Sequence, residues 1–176
     1  MGTRRKSREL AMQMLFQGDL GKQTPEEVRQ LFWASVTDVD PETRGFTEDI
    51  YRVATTRQEE IDTLIEAHAQ NWRIERMAVV DRNLIRAAVA EMLGYPNTPA
   101  AIIINESLEI GRRYAAPESI HFLNGVLDAI ARDLMKKRLA CSHWTSHRPN
   151  HPAKKNDHKE GGKSPTKDVA SPCRTA

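Results

Sequence analysis

The segment TPEEVRQLFWASV, residues 24–36, carries a complete set of signals for the start of a helix. Thr24 can cap the first turn and Pro25 suits the first helical position. Glu27 stands three residues after the threonine, where a capping box places a glutamate. The segment therefore predicts a helix whose apolar face comprises Val28, Leu31, Phe32 and Val36.

Similar signals recur along the chain and predict an all-α fold. From residue 3 to about residue 139 apolar residues repeat at helical spacing, and no run alternates for long enough to form a strand. Gly18, Gly21 and Gly94 supply stop signals. Six or seven helices with short loops should pack as antiparallel neighbours in a bundle. Further starts stand at residues 40–42, 56–59 (a second capping box, with a break between two helices near Thr56), 98–99 and 116–119.

The composition changes after Leu139. Residues 142–176 are rich in lysine, histidine, proline, serine and threonine, and they lack helical periodicity. Such a segment cannot bury enough apolar surface to offset the entropy lost on ordering it. The sequence therefore predicts one folded helical domain over residues 1–139 and a disordered basic tail over residues 140–176.

Charge is unevenly distributed along the 176 residues. The formal net charge of +2 combines +4 over residues 1–8, −9 over residues 9–135 and +7 over residues 136–176. Lysine and arginine neutralise phosphates and release counterions, so a polyanion would first meet the two ends. The acidic body would instead attract a basic protein.

Several classes of site find little support in the sequence. The longest apolar run, residues 100–104, is far shorter than a membrane span, and polar residues interrupt the amino end before a signal peptide could form, so we expect a cytoplasmic protein. Neither a dinucleotide fingerprint nor a nucleophile elbow occurs, and we expect no cofactor. Ligand-like spacing does occur in the tail, but without apolar support we expect no metal site there: Cys141, His143, His147 and His151.

The cations and aromatic residues are more informative. The first predicted helix begins with a cluster of positive charges, which the helix dipole disfavours. That local cost indicates a use outside the helix, and phosphate binding supplies one. Exposed aromatic residues nearby would add base stacking. The cations are Arg4, Arg5, Lys6 and Arg8, and the aromatic candidates are Phe16, Tyr114 and Phe122. Core packing is the alternative for each aromatic residue, and for Phe122 the two alternatives weigh equally.

Four blocks of the sequence form a set: RELAMQMLF at 8–16, DRNLIRAA at 81–88, INESLE at 104–109 and FLNGVLD at 122–128. In this order they resemble the signature blocks of the NusB family of bacterial transcription antitermination proteins. The similarity spans roughly residues 4–134. It implies an all-α fold of two three-helix halves and a role in binding rather than catalysis.

The resemblance also implies partners and site residues. Proteins of this family pair with the small-subunit ribosomal protein also called NusE, and the pair binds boxA RNA in nascent ribosomal transcripts. The complex helps RNA polymerase to read through terminators. In the family the arginine-rich amino end and the aromatic residues near the last loop face RNA, which favours RNA contact for Phe122. Carried over to this chain, the RNA-binding residues are Arg4, Arg5, Lys6, Arg8, Phe16, Tyr114, Glu118, Ser119 and Phe122.

Three residues in the matching blocks suggest structural roles. Asn105 and Asn124 lie among apolar neighbours, so we expect them to be buried and to tie helices to loop backbone through hydrogen bonds. Gly125 costs about 1 kcal/mol in a helix interior relative to alanine, which indicates a close approach of helices. The sequence departs from the family in its long basic tail and in Ser107 and Gly111, where small apolar residues are more usual.

Two other functions remain open. The same fold occurs as the amino-terminal domain of some ribosomal RNA cytosine methyltransferases, although we find neither the length nor the glycine-rich signal of a Rossmann-like catalytic domain. Alternatively, the protein is a scaffold that docks a basic protein without contacting RNA. RNA binding measured with and without the ribosomal partner separates the scaffold from the antitermination factor.

Overall fold

The computed structural model describes residues 3–69 and 72–146, with side chains described as far as residue 140. Within these ranges the regular structure is entirely helical, which confirms the predicted all-α class and the predicted number of helices. The helices are α1 (Thr3–Gly21), α2 (Pro25–Ser35), α3 (Pro41–Thr56), α4 (Gln58–His68), α5 (Val79–Gly94), α6 (Ala100–Tyr114) and α7 (Ser119–Ser146), with one 3-10 turn at Ile74–Arg76.

The chain forms two compact units, Met1–Arg132 and Asp133–Ala176. The first unit contains α1 to α6 and the start of α7. The second unit contains the remainder of α7, where Lys137 and Asp133 form an ion pair one helical turn apart. Exposed pairs of this kind add modest stability to a helix.

α7 extends beyond the predicted limit of the folded domain. It continues to Ser146, so the predicted boundary at residue 139 is wrong for residues 140–146. This segment contains no glycine or proline, and the arginine, leucine and alanine at residues 138–140 favour a helix. The disorder predicted for the rest of the tail, residues 147–176, lies outside the described residues.

The starts of α2 and α3 follow their sequence signals. The Thr24 side chain accepts a hydrogen bond from the Glu27 amide, and the Glu27 carboxylate accepts one from the Thr24 amide at 2.8 Å. These reciprocal bonds form the predicted capping box. Asp40 caps α3 by accepting a hydrogen bond from the Thr43 amide at 2.8 Å.

The start of α4 differs from its prediction. The chain breaks between α3 and α4 as expected, but the capping box predicted at residues 56–59 is wrong. The Thr56 hydroxyl donates instead to the Arg52 carbonyl, 2.7 Å away within α3. Because this side chain is occupied by its own helix, α4 begins after Arg57 without a side-chain cap.

Helix α1 lies at the centre of the first unit. It contacts α2, α3, α5 and α6, while α5 also contacts α3, α4 and α6. This pattern joins a group formed by α1 to α3 to a group built around α5 and α6, and the predicted two-half bundle is confirmed. The fully buried side chains at the junction include Leu10, Met14, Ile50 and Ile85.

The close approach of helices expected at Gly125 occurs instead at Gly111. A Cβ atom at Gly111 would lie 3.2 Å from Ile120 and Leu123 of α7 and 3.3 Å from Leu84 of α5. The missing side chain therefore lets α5, α6 and α7 pack tightly. Gly125 is exposed, and a Cβ there would meet nothing within 4 Å, so its predicted role is wrong.

The structural roles predicted for Asn105 and Asn124 are also wrong, because both residues are exposed. Consecutive residues of a helix point about 100° apart, so apolar neighbours in sequence do not place an amide in the core. Ser107 is the buried polar residue of this part of α6, and its hydroxyl donates to the Ile103 carbonyl at 2.8 Å.

A buried ion pair connects α1 to α5. Arg8, which is 8% exposed, donates from Nε and Nη2 to the two carboxylate oxygens of Glu91, which is 1% exposed, and both distances are 2.6 Å. Such a two-fold hydrogen-bonded pair offsets the cost of burying either charge alone. Nearby, the Ser7 hydroxyl donates to the Thr43 carbonyl of α3 at 3.0 Å.

A second polar network holds the other end of α1. Asp19 accepts hydrogen bonds from Arg82 at 2.7 Å, Asn83 at 2.9 Å and Arg86 at 3.3 Å. Arg86 also donates twice to Asp62 of α4 at 2.7 Å. Burial acts to raise the pKa of Asp19, but the hydrogen bonds from Arg82 and Asn83 outweigh it and leave this pKa below its usual value. The ionised carboxylate therefore links α1 to α5 and, through Arg86, to α4.

We expect Arg8→Ala and Glu91→Ala each to lower the free energy of unfolding by about 3–5 kcal/mol, because each leaves the other charge buried without its partner. Arg8→Met combined with Glu91→Leu should recover most of this loss. Urea unfolding followed by circular dichroism measures both effects. As a control, Glu26→Ala breaks an exposed pair with Arg29 and should change stability little. Single variants no less stable than this control would contradict the buried pair.

Candidate nucleic-acid interface

The side chain of Arg8 is buried and does not extend into solvent. Its guanidinium is occupied by Glu91, and its Nη1 lies 3.9 Å from Glu106 Oε2. The prediction that Arg8 contacts phosphate is therefore wrong. The residue belongs to the buried side of the helix, and its charge serves the packing of α1 on α5 and α6.

Arg5 is partly exposed and paired with α6. Its Nε and Nη2 donate to the Glu106 carboxylate at 2.6 and 2.7 Å, and one third of its side chain is exposed. This hydrogen-bonded guanidinium holds the pKa of Glu106 below its usual value. The pair neutralises much of the Arg5 charge that the sequence places at the amino end.

Arg4 and Lys6 are the most exposed of the predicted cations. Arg4 lies 3.7 Å from Glu42, and its guanidinium carbon is 4.2 Å from the centroid of the Phe46 ring. Lys6 Nζ lies 3.6 Å from Glu9 Oε1. The pair of Arg4 with Glu42 is exposed at both ends, so it is weak and screened by salt, and Arg4 can turn toward an external phosphate. Lys6 is 43% exposed and can also reach an external phosphate, but its partner Glu9 is buried.

Glu9 is a buried carboxylate that gathers side chains from α1 and α6. It is 3% exposed, and it accepts hydrogen bonds from the Tyr114 hydroxyl at 2.5 Å and from Arg113 Nη1 at 3.0 Å. Gln13 in turn donates to the Tyr114 oxygen at 3.4 Å. Together with Lys6, these contacts bring the amino-terminal half of α1 and the carboxyl end of α6 into one surface.

Phe16 lies along the same side of α1. Residues 6, 9, 13, 16 and 20 are spaced three or four apart, so they form one stripe of a helix. Phe16 is half-buried and Leu20 is exposed. We call the surface made by Lys6, Gln13, Phe16, Arg113 and Tyr114 the α1–α6 face. It combines cations, an amide and two aromatic rings.

The start of α7 places the remaining predicted residues. Phe122 is half-buried, and its ring centroid lies 5.9 Å from that of Trp72, which is 53% exposed. The Ser119 hydroxyl donates to the buried Asp81 carboxylate at 2.7 Å, whereas Glu118 is exposed. Four residues separate Tyr114 from Ser119, so this group follows the α1–α6 face directly along the chain.

Sequence reasoning missed four residues of these surfaces. Glu9, Gln13 and Arg113 belong to the α1–α6 face or support it, and the Trp72 ring lies beside that of Phe122 at an interplanar angle of 48°. The exposed tryptophan could have been found as a large aromatic residue between helices. Nothing in the local pattern marks Glu9, because its hydrogen-bond partners Arg113 and Tyr114 lie more than a hundred positions away.

The described side chains contain no group of three or more histidine, cysteine or acidic residues placed to hold a metal ion. The tail residues with ligand-like spacing lie outside the described side chains. Among the helices of residues 3–69 and 72–146, none combines the length and apolar character needed to cross a membrane.

Comparisons with known proteins identify relatives of this chain. Residues 5–132 match the NusB family. The transcription antitermination protein NusB of Koribacter versatilis (strain Ellin345) is 58% identical over 137 residues, which cover 78% of this chain and 94% of that protein. A structure of T. maritima NusB is 30% identical with a TM-score of 0.68, covering 73% of this chain and 90% of that chain. A structure of the antitermination factors NusB and NusE in complex with dsRNA is 26% identical with a TM-score of 0.69, covering 76% and 98%.

The geometry around Glu9 predicts a measurable property of Tyr114. The hydrogen bond to Glu9, with burial and the nearby negative charge, raises the pKa of Tyr114 above its usual value. In Glu9→Gln this pKa should fall toward the usual value of a tyrosine, because the charge of Glu9 is removed. Carbon-13 NMR of the tyrosine rings against pH measures it. Asp49→Asn is the control, since Asp49 bonds Tyr95 at 2.7 Å and should leave Tyr114 unaltered. An unchanged Tyr114 titration in Glu9→Gln would show that the bond does not form in solution.

Proposed function

The chain belongs to the NusB family, and from this premise we propose that it is a transcription antitermination factor. It binds boxA RNA of nascent ribosomal transcripts together with the small-subunit ribosomal protein NusE. The resulting complex joins RNA polymerase and supports read-through of terminators during ribosomal RNA synthesis. A related pair, NusB with NusE, has been crystallised with dsRNA.

The observation that carries this proposal is the composition of the α1–α6 face. Lys6 on α1 and Arg113 and Tyr114 on α6 all contact the carboxylate of Glu9, although the two helices are distant in sequence. Cations beside exposed aromatic rings suit single-stranded nucleic acid, because they meet its two repeating features, phosphates and base faces. A scaffold that binds only protein has no need of this combination.

The residues would divide their roles as follows. Arg4, Lys6 and Arg113 contact phosphates and position the strand without reading its sequence. Tyr114, Phe16 and Phe122 offer ring faces, and stacking adds about 1–3 kcal/mol per base. Glu118 and Ser119 lie between Tyr114 and Phe122 in the sequence, and their side-chain oxygens can accept hydrogen bonds from base amino groups. Arg5 contributes a partly compensated charge at the edge.

The acidic surface around α4 suits the basic ribosomal partner. Glu59 and Glu66 are exposed on α4, and Glu75 is exposed on the 3-10 turn that follows. A cleft of about 600 Å³ lies beside Glu66, Trp72 and Glu75. Negative charge at such a surface speeds association with a positively charged partner. NusE would therefore contact the acidic surface around α4, which meets the proposed RNA-binding residues where Trp72 lies beside Phe122.

Binding measured with and without NusE tests the proposed function. We expect a boxA oligonucleotide to bind more tightly than a scrambled oligonucleotide of the same composition, and NusE to increase this preference. Fluorescence anisotropy at fixed ionic strength measures both affinities, since affinities at different salt concentrations are not comparable. Equal affinity for the two RNAs in the presence of NusE would contradict boxA recognition. If this protein pairs with NusE but no mixture binds RNA, the result would favour the alternative of a scaffold that docks a basic protein without contacting RNA.

The cations of α1 should contribute unequally to RNA binding. Arg4→Ala and Lys6→Ala should each weaken binding to all single-stranded sequences and reduce the slope of log K against log salt by up to about 0.7, the value of one lost phosphate contact. The double variant Arg8→Met/Glu91→Leu should leave the slope unchanged, because this pair is buried. Arg29→Ala is the control, an exposed cation on α2. If Arg29→Ala reduces the slope as much as Arg4→Ala or Lys6→Ala does, the amino end is not part of the RNA site.

A further inference from the structure

A buried negative charge lies beneath the RNA-binding face proposed above. Glu9 is almost fully buried, yet two of its three partners are exposed cations: the Lys6 and Arg113 side chains are 43% and 51% exposed. The third partner, the neutral Tyr114 hydroxyl, is held at 2.5 Å. The fold thus places an anion on the inner side of the cations that would meet phosphate.

Glu9 and an RNA phosphate offer the same chemistry to these cations. Both are anionic oxygen acceptors for the ammonium group of Lys6 and the guanidinium of Arg113. A phosphate that binds either side chain must share it with Glu9 or displace Glu9. Either event reduces the free energy that the phosphate contact contributes to binding. Because phosphate contacts do not depend on the RNA sequence, Glu9 lowers the sequence-independent part of the RNA affinity.

The same carboxylate supports the aromatic contact. Its bond to the Tyr114 hydroxyl, with the donation from Gln13 to the same oxygen, fixes the orientation of a ring that is 38% exposed. A ring fixed before binding loses less entropy when a base stacks on it. Glu9 therefore weakens contact with the RNA backbone and strengthens contact with bases.

We propose that Glu9 is a specificity-determining residue, which competes with RNA phosphate for Lys6 and Arg113 and holds Tyr114 for stacking. This inference rests on the proposed RNA-binding function. It assigns Glu9 no direct contact with RNA: the residue acts through its three partners. The expected signature is a change in selectivity rather than a uniform loss of binding.

The substitution Glu9→Gln isolates the charge. Glutamine keeps the length of the side chain and an oxygen that can accept from the Tyr114 hydroxyl. It leaves no unpaired buried charge, because Lys6 and Arg113 already reach solvent. Binding to oligouridine should become tighter, and its slope of log K against log salt should steepen by up to about 0.7 for each of the two released cations. The ratio of boxA to oligouridine affinity should fall.

Two matched variants separate charge from other effects. Glu60→Gln removes one negative charge from an exposed pair with Arg57 on α4 and should leave the slope unaltered. Tyr114→Phe removes the hydroxyl without changing charge, so it should lower boxA affinity while the oligouridine slope stays the same. If the oligouridine slope steepens as much in Glu60→Gln as in Glu9→Gln, the change follows from net charge alone, and the proposal is overturned.

The remaining outcomes of these binding experiments also test whether Glu9 competes with phosphate. An oligouridine slope that is unchanged or shallower in folded Glu9→Gln would overturn the competition with phosphate. Should Glu9→Gln unfold by circular dichroism, Arg113→Gln provides the test, since it alters an exposed side chain. A cation shared with Glu9 should contribute less than about 0.7 to the slope, and loss of the full value would overturn the proposal. If the unaltered chain binds neither RNA, the proposed function itself fails.

Discussion

The burial of charged residues in the middle of α1 is the constraint on which the rest of the structure depends. Residues 7–12 are all buried, although they include Arg8 and Glu9. A helix buried on every side must find partners for its polar groups, since an unpaired buried charge costs far more than a buried pair. Those partners fix where the other helices lie. They are the Thr43 carbonyl on α3, Glu91 on α5, and Arg113 and Tyr114 on α6.

The same requirement shapes the candidate site. Two of the four cations at the amino end form two-fold hydrogen-bonded pairs, Arg5 with Glu106 and Arg8 with Glu91. The positive charge left for a ligand is therefore smaller than the charge counted from the sequence. The α1–α6 face would instead bind a ligand through the positions of its side chains, because Glu9 holds two cations and an aromatic ring from two helices close together.

The local signals of the sequence predicted the helices well, and the long-range contacts could not be predicted from it. Thr24 and Asp40 act within one turn, so their caps were readable. Thr56 has the same local pattern but bonds its own helix, because a threonine hydroxyl can also reach the carbonyl four residues before it. The exposure of Asn105 depends on which face of α6 packs inward. That face is set by tertiary contacts, as is the pairing of Glu9 across more than a hundred residues.

Mapping a boxA oligonucleotide onto the protein by nitrogen-15 NMR tests the central claim most directly. RNA bound at the α1–α6 face should shift the amide signals of the first half of α1, the end of α6 and the start of α7, with smaller shifts in α2 and α3. The Nε signal of Arg8 should stay in place because its pair with Glu91 is buried. Shifts confined to α2, α3 or α4, with the α1–α6 face unaffected, would contradict the claim.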